Sequence, residues 1–264
     1  MADARWHRYV ALGDSITEGL HDPASPGSLA GDREPWIGWA DRLAAILDRE
    51  ASITGNGIEF ANLAVRGRRV RDVVDEQIPA AIDLGGDLVS ILIGGNDLMT
   101  PAGDPDKLAA ELERGVARLR AAKIDVLLAT SFDPQFAFFL KPLRGKAAVF
   151  NANLWSIVRA HDTYSLDLWG IHEFRDRSMW SEDRVHLTST GHRVLARHAA
   201  HSLGVSYWEL PTTQTNQESP PATRTSTWLR RYALPWAVRR MRGITFGDRP
   251  PPKLPAPARV ASRS

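Results

Sequence analysis

A serine, a histidine and an aspartate stand at positions in this chain where they could act together on an ester. Ser15 ends the stretch Tyr9-Val10-Ala11-Leu12-Gly13-Asp14-Ser15, an apolar run of strand length that breaks at a glycine. That places a hydroxyl just past a strand's C-terminal end, where open α/β sheets keep their chemistry. Asp183 and His186 lie three residues apart in Ser181-Glu182-Asp183-Arg184-Val185-His186. Within one turn, the carboxylate can reach the histidine Nδ1–H and leave Nε2 free to face a serine. Acyl transfer also needs donors for the developing oxyanion. The backbone N–H of Ser15 is one candidate, and the N–H of Gly67, in the turn after a second apolar run, is another. The third is the side-chain amide of Asn96, after a third run. Each piece alone also reads as an ordinary turn or helix cap. What sets them apart is that Ser15, Gly67 and Asn96 each follow a predicted strand, which puts all three on one sheet edge.

The elements that must hold these residues alternate in type. Predicted strands cover Tyr9–Leu12, Ile58–Leu63, Asp87–Ile93, Ile124–Thr130 and Tyr164–Leu168. Between and after them, apolar residues at helical spacing predict helices from about Trp36, over Val70–Ile82, Pro105–Ala122 and Lys146–His161, and finally over Ser189–Leu203. Such alternation implies right-handed crossovers and a mostly parallel sheet covered on both faces. The expected fold is therefore α/β, a three-layer α/β/α sandwich with a five-stranded flavodoxin-like sheet.

Composition bounds the function further. The 264 residues contain no cysteine, which excludes disulfides, thiolate nucleophiles and thiolate metal sites. Neither a signal-peptide core nor a spanning apolar run is visible, so a cytoplasmic protein is expected. The net charge of +2 is split unevenly: from Val205 on, ten Lys or Arg oppose three acids, leaving −5 for the first 204 residues. Residues 1–204 read as a catalytic domain, 205–227 as a Thr/Ser/Gln/Pro-rich linker, and 228–264 as a basic Trp/Arg/Pro-rich tail, helical at first and then disordered. Trp228–Arg242 mixes aromatics and arginines like an interfacial helix, which allows a peripheral contact with anionic membrane. Nucleic acid is not expected as a partner.

In the order in which they occur, Gly13-Asp14-Ser15, Asn62-Leu63-Ala64-Val65-Arg66-Gly67, Gly94-Gly95-Asn96-Asp97 and Asp183 to His186 resemble the four sequence blocks of the SGNH or GDSL hydrolases. The resemblance spans about residues 6 to 204. It implies a flavodoxin-like fold and a serine esterase that needs no metal or cofactor and takes a small-molecule ester. Ser15 would be the nucleophile, His186 the general base and Asp183 the group that orients it. Ser15 N–H, Gly67 N–H and the Asn96 amide would form the oxyanion hole, with Asp14, Asn62 and Asp97 as supporting residues. Basic tails like this one resemble those of actinobacterial members.

Other readings carry less. There is no Gly-x-Ser-x-Gly nucleophile elbow and no Gly-x-Gly-x-x-Gly after a strand. A metal-dependent phosphoesterase could use Asp14, Asn96, Asp97 and His186, but only one histidine lies in a motif. A binding protein recruited through its tail is the alternative from another class. His192, His198 and His201 share one helix and read as a solvated face. Trp36, Phe132, Phe136 and Phe138 are candidates for a substrate pocket that favours short to medium acyl chains; their alternative place is the core.

Overall fold

In a computed structural model of the chain, described for residues 5–22, 36–53, 55–205 and 250–260, the strands and helices alternate as the pattern requires. Strands β1 (Arg8–Gly13), β2 (Glu59–Asn62), β3 (Leu88–Leu92), β4 (Asp125–Ala129) and β5 (Tyr164–Leu166) are parallel. They lie in the order β5-β4-β3-β1-β2, with β6 (Leu254–Arg259) added beyond β2. The chain leaves β1 for β2 on one side and then crosses to β3 on the other. The gap between those two crossovers, at the C-terminal ends of the strands, is where such sheets bind ligands.

Period-two alternation explains the layers. Tyr9, Ala11 and Phe60 face one side of the sheet, where they pack against α2 (Trp39–Ser52) and α8 (Ser189–Ser202) through Trp39, Leu43, Leu195 and Ala199. Val10, Leu12, Val89 and Ile91 face the other side. There they meet a helix that runs from α3 (Val70–Asp72) through a π-helical turn, Val73–Gln77, into α4 (Ile78–Asp83), together with α6 (Pro105–Ala121) and α7 (Arg144–His161). Between these come two single-turn helices, α1 (Ser15–Glu18) and α5 (Gly95–Leu98), each directly after a strand. Both sheet faces are buried, so the strands read as continuous apolar runs.

The sheet has six strands where five are expected, and the sixth corrects the reading of the C-terminal end as disordered. β6 runs antiparallel to β2, pairing Leu254 with Asn62, Ala258 with Phe60 and Arg259 with Glu59. Pro255 and Pro257 suit this place because an edge strand needs only one row of backbone donors. Val260 is buried beyond it. Lys253 reaches back under the sheet edge, where its Nζ lies 2.7 Å from Asp41 Oδ2 at the start of α2. The basic aromatic segment 228–242 and the linker from 206 lie outside the described residues, as does the membrane contact expected of them. Among the described residues, no helix is long and apolar enough to cross a membrane.

Candidate active site

Gly13 ends β1 with φ +149°, and a Cβ there would collide with the Leu92 carbonyl of the neighbouring strand. The bend it allows turns the chain into α1, whose first residue is Ser15. Asp14 caps that helix, its Oδ1 accepting from Ile16 N–H at 3.1 Å. As the first residue of a helix, Ser15 has a backbone N–H with no intrahelical partner. The turn after β2 reverses through Gly67, whose φ of +77° only glycine adopts readily.

The histidine arrives on a rigid loop. Leu187 and Trp180 form an antiparallel bridge, Ser181 N–H donates to the His186 carbonyl at 2.7 Å, and Arg184 turns the loop at φ +61°. Thr188 then caps α8 by accepting from Gly191 N–H. Inside the loop, Asp183 Oδ1 accepts from Ser181 Oγ at 2.6 Å and from the N–H groups of Val185 and His186 at 2.9 and 3.0 Å. Its Oδ2 lies 2.5 Å from His186 Nδ1, and His186 Nε2 lies 2.8 Å from Ser15 Oγ. Residues 171 positions apart thus form one continuous hydrogen-bonded chain from carboxylate to hydroxyl.

The electrostatics follow from burial and pairing. Burial opposes charge on Asp183, but His186, the hydrogen bonds and His21 outweigh it, so the carboxyl is held far below its usual range. Burial likewise opposes charge on His186, yet Asp183, with Asp14 and Glu18 beyond it, raises its pKa above 6.5. Asp14 is pushed up to about 6, chiefly by burial, and so is Asp97.

The Asn96 amide ties the three strand ends together. Its Nδ2 donates to Asp14 Oδ2 at 3.2 Å and to the Arg68 carbonyl, next to Gly67, at 3.0 Å. Asn62 and Asp97 serve as struts. Asn62 Nδ2 donates to the Thr17 carbonyl of α1 and its Oδ1 accepts from Ala64 N–H, while Asp97 Oδ2 accepts from Val70 N–H at the start of α3. A part-buried ion pair, Glu18 with Arg66 at 2.6 Å, ties α1 to the Gly67 turn.

Of the four aromatics proposed for the pocket, the structure brings Trp36 towards the site. Its ring lies 6.0 Å from that of His21, which lies 5.3 Å from that of His186. Phe136 instead stacks on buried Trp180 at 3.6 Å, and Phe132 packs edge-on against Trp180 and Phe174. These two rings back the loop that carries His186, which is the core placement left open by the sequence. Phe138 is 53% exposed and meets Phe139. His192 is corrected as well: it is fully buried, not on a solvated face, and its Nδ1 accepts from Trp39 N–H at 3.2 Å, so its ring is held neutral.

Two residues of the site escape the sequence reading. Gln77, the last residue of the π-helical turn, uses its side-chain amide as a strand would. Its Oε1 accepts from Gly13 N–H at 2.8 Å and its Nε2 donates to the Gly13 carbonyl at 3.0 Å. The widened turn is what aims it there, as π-bulges at functional sites do, and no residue pattern announces it. His21 stands beside Asp183, with its Nε2 3.3 Å from Oδ2. Its φ of +70° is a conformation that non-glycine residues rarely hold.

A family model, GDSL-like Lipase/Acylhydrolase, matches residues 11–194. Among solved structures, a mutant of an acetyl-xylooligosaccharide esterase from a Geobacillus species matches at TM-score 0.64 and 21% identity, covering 79% of this chain and 98% of that one. An acetylxylan esterase from Geobacillus stearothermophilus gives TM-score 0.63 at 22% identity, over 77% of this chain and 96% of that one. Variants of that esterase with a histidine, a serine or an aspartate changed to alanine are described as catalytic mutants. An alpha/beta hydrolase from the metagenome of Lake Arreo, Spain, gives TM-score 0.63 at 21% identity, over 78% and 99%. At such identities the likeness is one of fold. No curated protein sequence matches the chain.

Proposed function

The chain belongs to the GDSL-like lipase/acylhydrolase family and is accordingly a carboxylic ester hydrolase, and we propose that it works through an acyl-enzyme on Ser15. The observation that carries this reading is the unbroken chain from Ser15 Oγ to His186 Nε2, at 2.8 Å, and from His186 Nδ1 to Asp183, at 2.5 Å. Ser15 Oγ attacks the ester carbonyl while its proton passes to His186 Nε2. Asp183 stabilises the imidazolium and keeps the ring oriented. The carbonyl oxygen takes up negative charge near Ser15 N–H, Gly67 N–H and the Asn96 amide, which exchanges its long 3.2 Å bond to Asp14 for the oxyanion. Collapse passes the proton from His186 to the leaving alkoxide. Water, deprotonated by the same nitrogen, then releases the acid.

The substrate we infer is an ester with a short acyl group. His21 stands beside His186 and the Trp36 ring lies 6.0 Å from that of His21, while Phe132 and Phe136 are committed to packing on Trp180. The acetylated sugar esters named for the Geobacillus enzymes make sugar acetates the first natural compounds to assay. Hydrolysis of p-nitrophenyl acetate and butyrate, with and without EDTA, tests the mechanism. Ser15→Ala and His186→Ala are expected to lose activity by on the order of 10⁴-fold or more. Asn96→Ala is expected to lose roughly 10²–10³-fold in kcat. Activity that survives Ser15→Ala in a folded protein, or that EDTA abolishes, would overturn the assignment.

A further inference from the structure

Asp183 has two histidines on one oxygen. His186 Nδ1 lies 2.5 Å from Oδ2, and His21 Nε2 lies 3.3 Å from the same atom. Ester hydrolysis as derived above uses the first contact and has no need of the second. His21 is 44% exposed on its side chain, so the cluster opens to solvent on that side. One donor atom from each of the three residues falls within 4.8 Å of the others.

We propose that His21, Asp183 and His186 form a binding site for a borderline transition-metal dication such as Zn²⁺, and that its occupancy switches the hydrolase off. Two imidazoles and a carboxylate, with water in the fourth position, are the ligand types that zinc takes at open sites. With metal–ligand bonds of about 2.0–2.1 Å, tetrahedral ligand atoms sit about 3.3 Å apart. The His21–Asp183 pair already has that spacing, at 3.3 Å. The 2.5 Å His186–Asp183 contact is a hydrogen bond whose proton the ion replaces, and it opens by about 0.8 Å to accommodate the ion.

The inhibitory effect follows from the tautomer. In the active arrangement the neutral ring carries its proton on Nδ1, facing Asp183, and Nε2 presents a lone pair to Ser15 Oγ. Coordination takes the Nδ1 lone pair, so the ring's proton moves to Nε2. That nitrogen then donates to Ser15 Oγ instead of accepting from it, and the hydroxyl keeps its proton. One ring cannot hold the ion and act as the base. Mg²⁺ and Ca²⁺, which take oxygen ligands, fit this donor set poorly and should not inhibit.

The inference goes beyond the proposed reaction, and its experiment separates the two. Zn²⁺ is titrated calorimetrically, in a non-chelating buffer, into the full chain, Ser15→Ala and His21→Ala. Ser15→Ala reports binding with no reference to catalysis. The expected result is one Zn²⁺ per chain in the wild type and in Ser15→Ala, with affinity at least about tenfold weaker in His21→Ala, since losing a ligand costs no less than losing a residue that merely supports one. In a parallel assay with p-nitrophenyl acetate, Zn²⁺ should inhibit the wild type, and chelator should restore the rate. The inhibitory concentration, referred to each protein's own metal-free rate, should rise at least about tenfold in His21→Ala, and equal Mg²⁺ should do nothing. Absence of stoichiometric binding to the wild type, or equal binding by His21→Ala, overturns the proposal, whatever the esterase activity proves to be.

Discussion

Replacing Lys253 by methionine should cost the fold several kcal/mol, although Lys253 lies in a segment whose composition reads as disordered. Its Nζ sits 2.7 Å from Asp41 Oδ2, with the two side chains only 3% and 6% exposed, and also donates to the Trp36 carbonyl at 3.3 Å. Methionine keeps the aliphatic stem and removes the charge, which leaves a buried carboxylate without its counter-ion. Breaking a buried pair from one side costs about 3–5 kcal/mol. Asp41 Oδ2 keeps the Gly38 N–H as a donor at 2.9 Å, which places the expected loss near the lower end, about 3 kcal/mol. For a chain of this size each kcal/mol moves Tm by about 2–4 °C, so a drop of roughly 6–12 °C is expected. Urea unfolding followed by tryptophan fluorescence should show a lower midpoint at unchanged m. Asp41→Asn added to Lys253→Met removes the stranded charge while its amide oxygen can still cap Gly38, and should recover more than half of the loss. A single variant within about 0.5 kcal/mol of wild type, or a double variant no better than the single, would show that the pair does not hold β6 to the domain.

Gln77→Ala strips the side-chain partners from the N–H and carbonyl of Gly13, two residues before Ser15, the proposed nucleophile. It should lower stability by about 1–3 kcal/mol and reduce kcat for p-nitrophenyl acetate at least about tenfold, since small displacements of a catalytic group are costly. A stable variant with wild-type kcat would remove Gln77 from the site's support. The pH profile tests the His186–Asp183 coupling. Neutral His186 is the proposed base, and Asp183 holds its proton on to higher pH than the 6.5 of a free imidazole. The rate kcat/KM should therefore rise with pH through a midpoint above 6.5. A midpoint at or below 6.5 would contradict the ion-pair account.

The parts of the site that could be read from residue order rest on short spacings or on places just past strand ends. Asp183 and His186 meet because a three-residue spacing within a turn brings a carboxylate to Nδ1, and the structure joins them at 2.5 Å. Gly13-Asp14-Ser15, Gly67 and Asn96 converge because each lies at or shortly after the C-terminal end of a strand in one sheet, and alternating elements imply that those strands are parallel. Strand and helix limits lie within a few residues of their predicted positions because both faces of the sheet are apolar and leave a strong pattern.

What could not be read depends on partners far away in the chain. β6 has proline-rich, weakly strand-forming residues, and it is a strand because β2, nearly two hundred positions earlier, leaves an open row of backbone groups. Gln77 lies in an unbroken helical pattern, and its role comes from a widened turn that aims its amide at Gly13. His192 shares a helix with more exposed histidines and is buried where that helix packs on α2, its Nδ1 accepting from Trp39 N–H. His21 carries no motif at all; its place beside Asp183 follows from a left-handed backbone turn and from a loop 162 positions later in sequence. Residue types and short spacings specify which groups can react. Long-range packing specifies which groups brace them and which stand close enough to interfere, because those distances depend on the closure of the whole sheet.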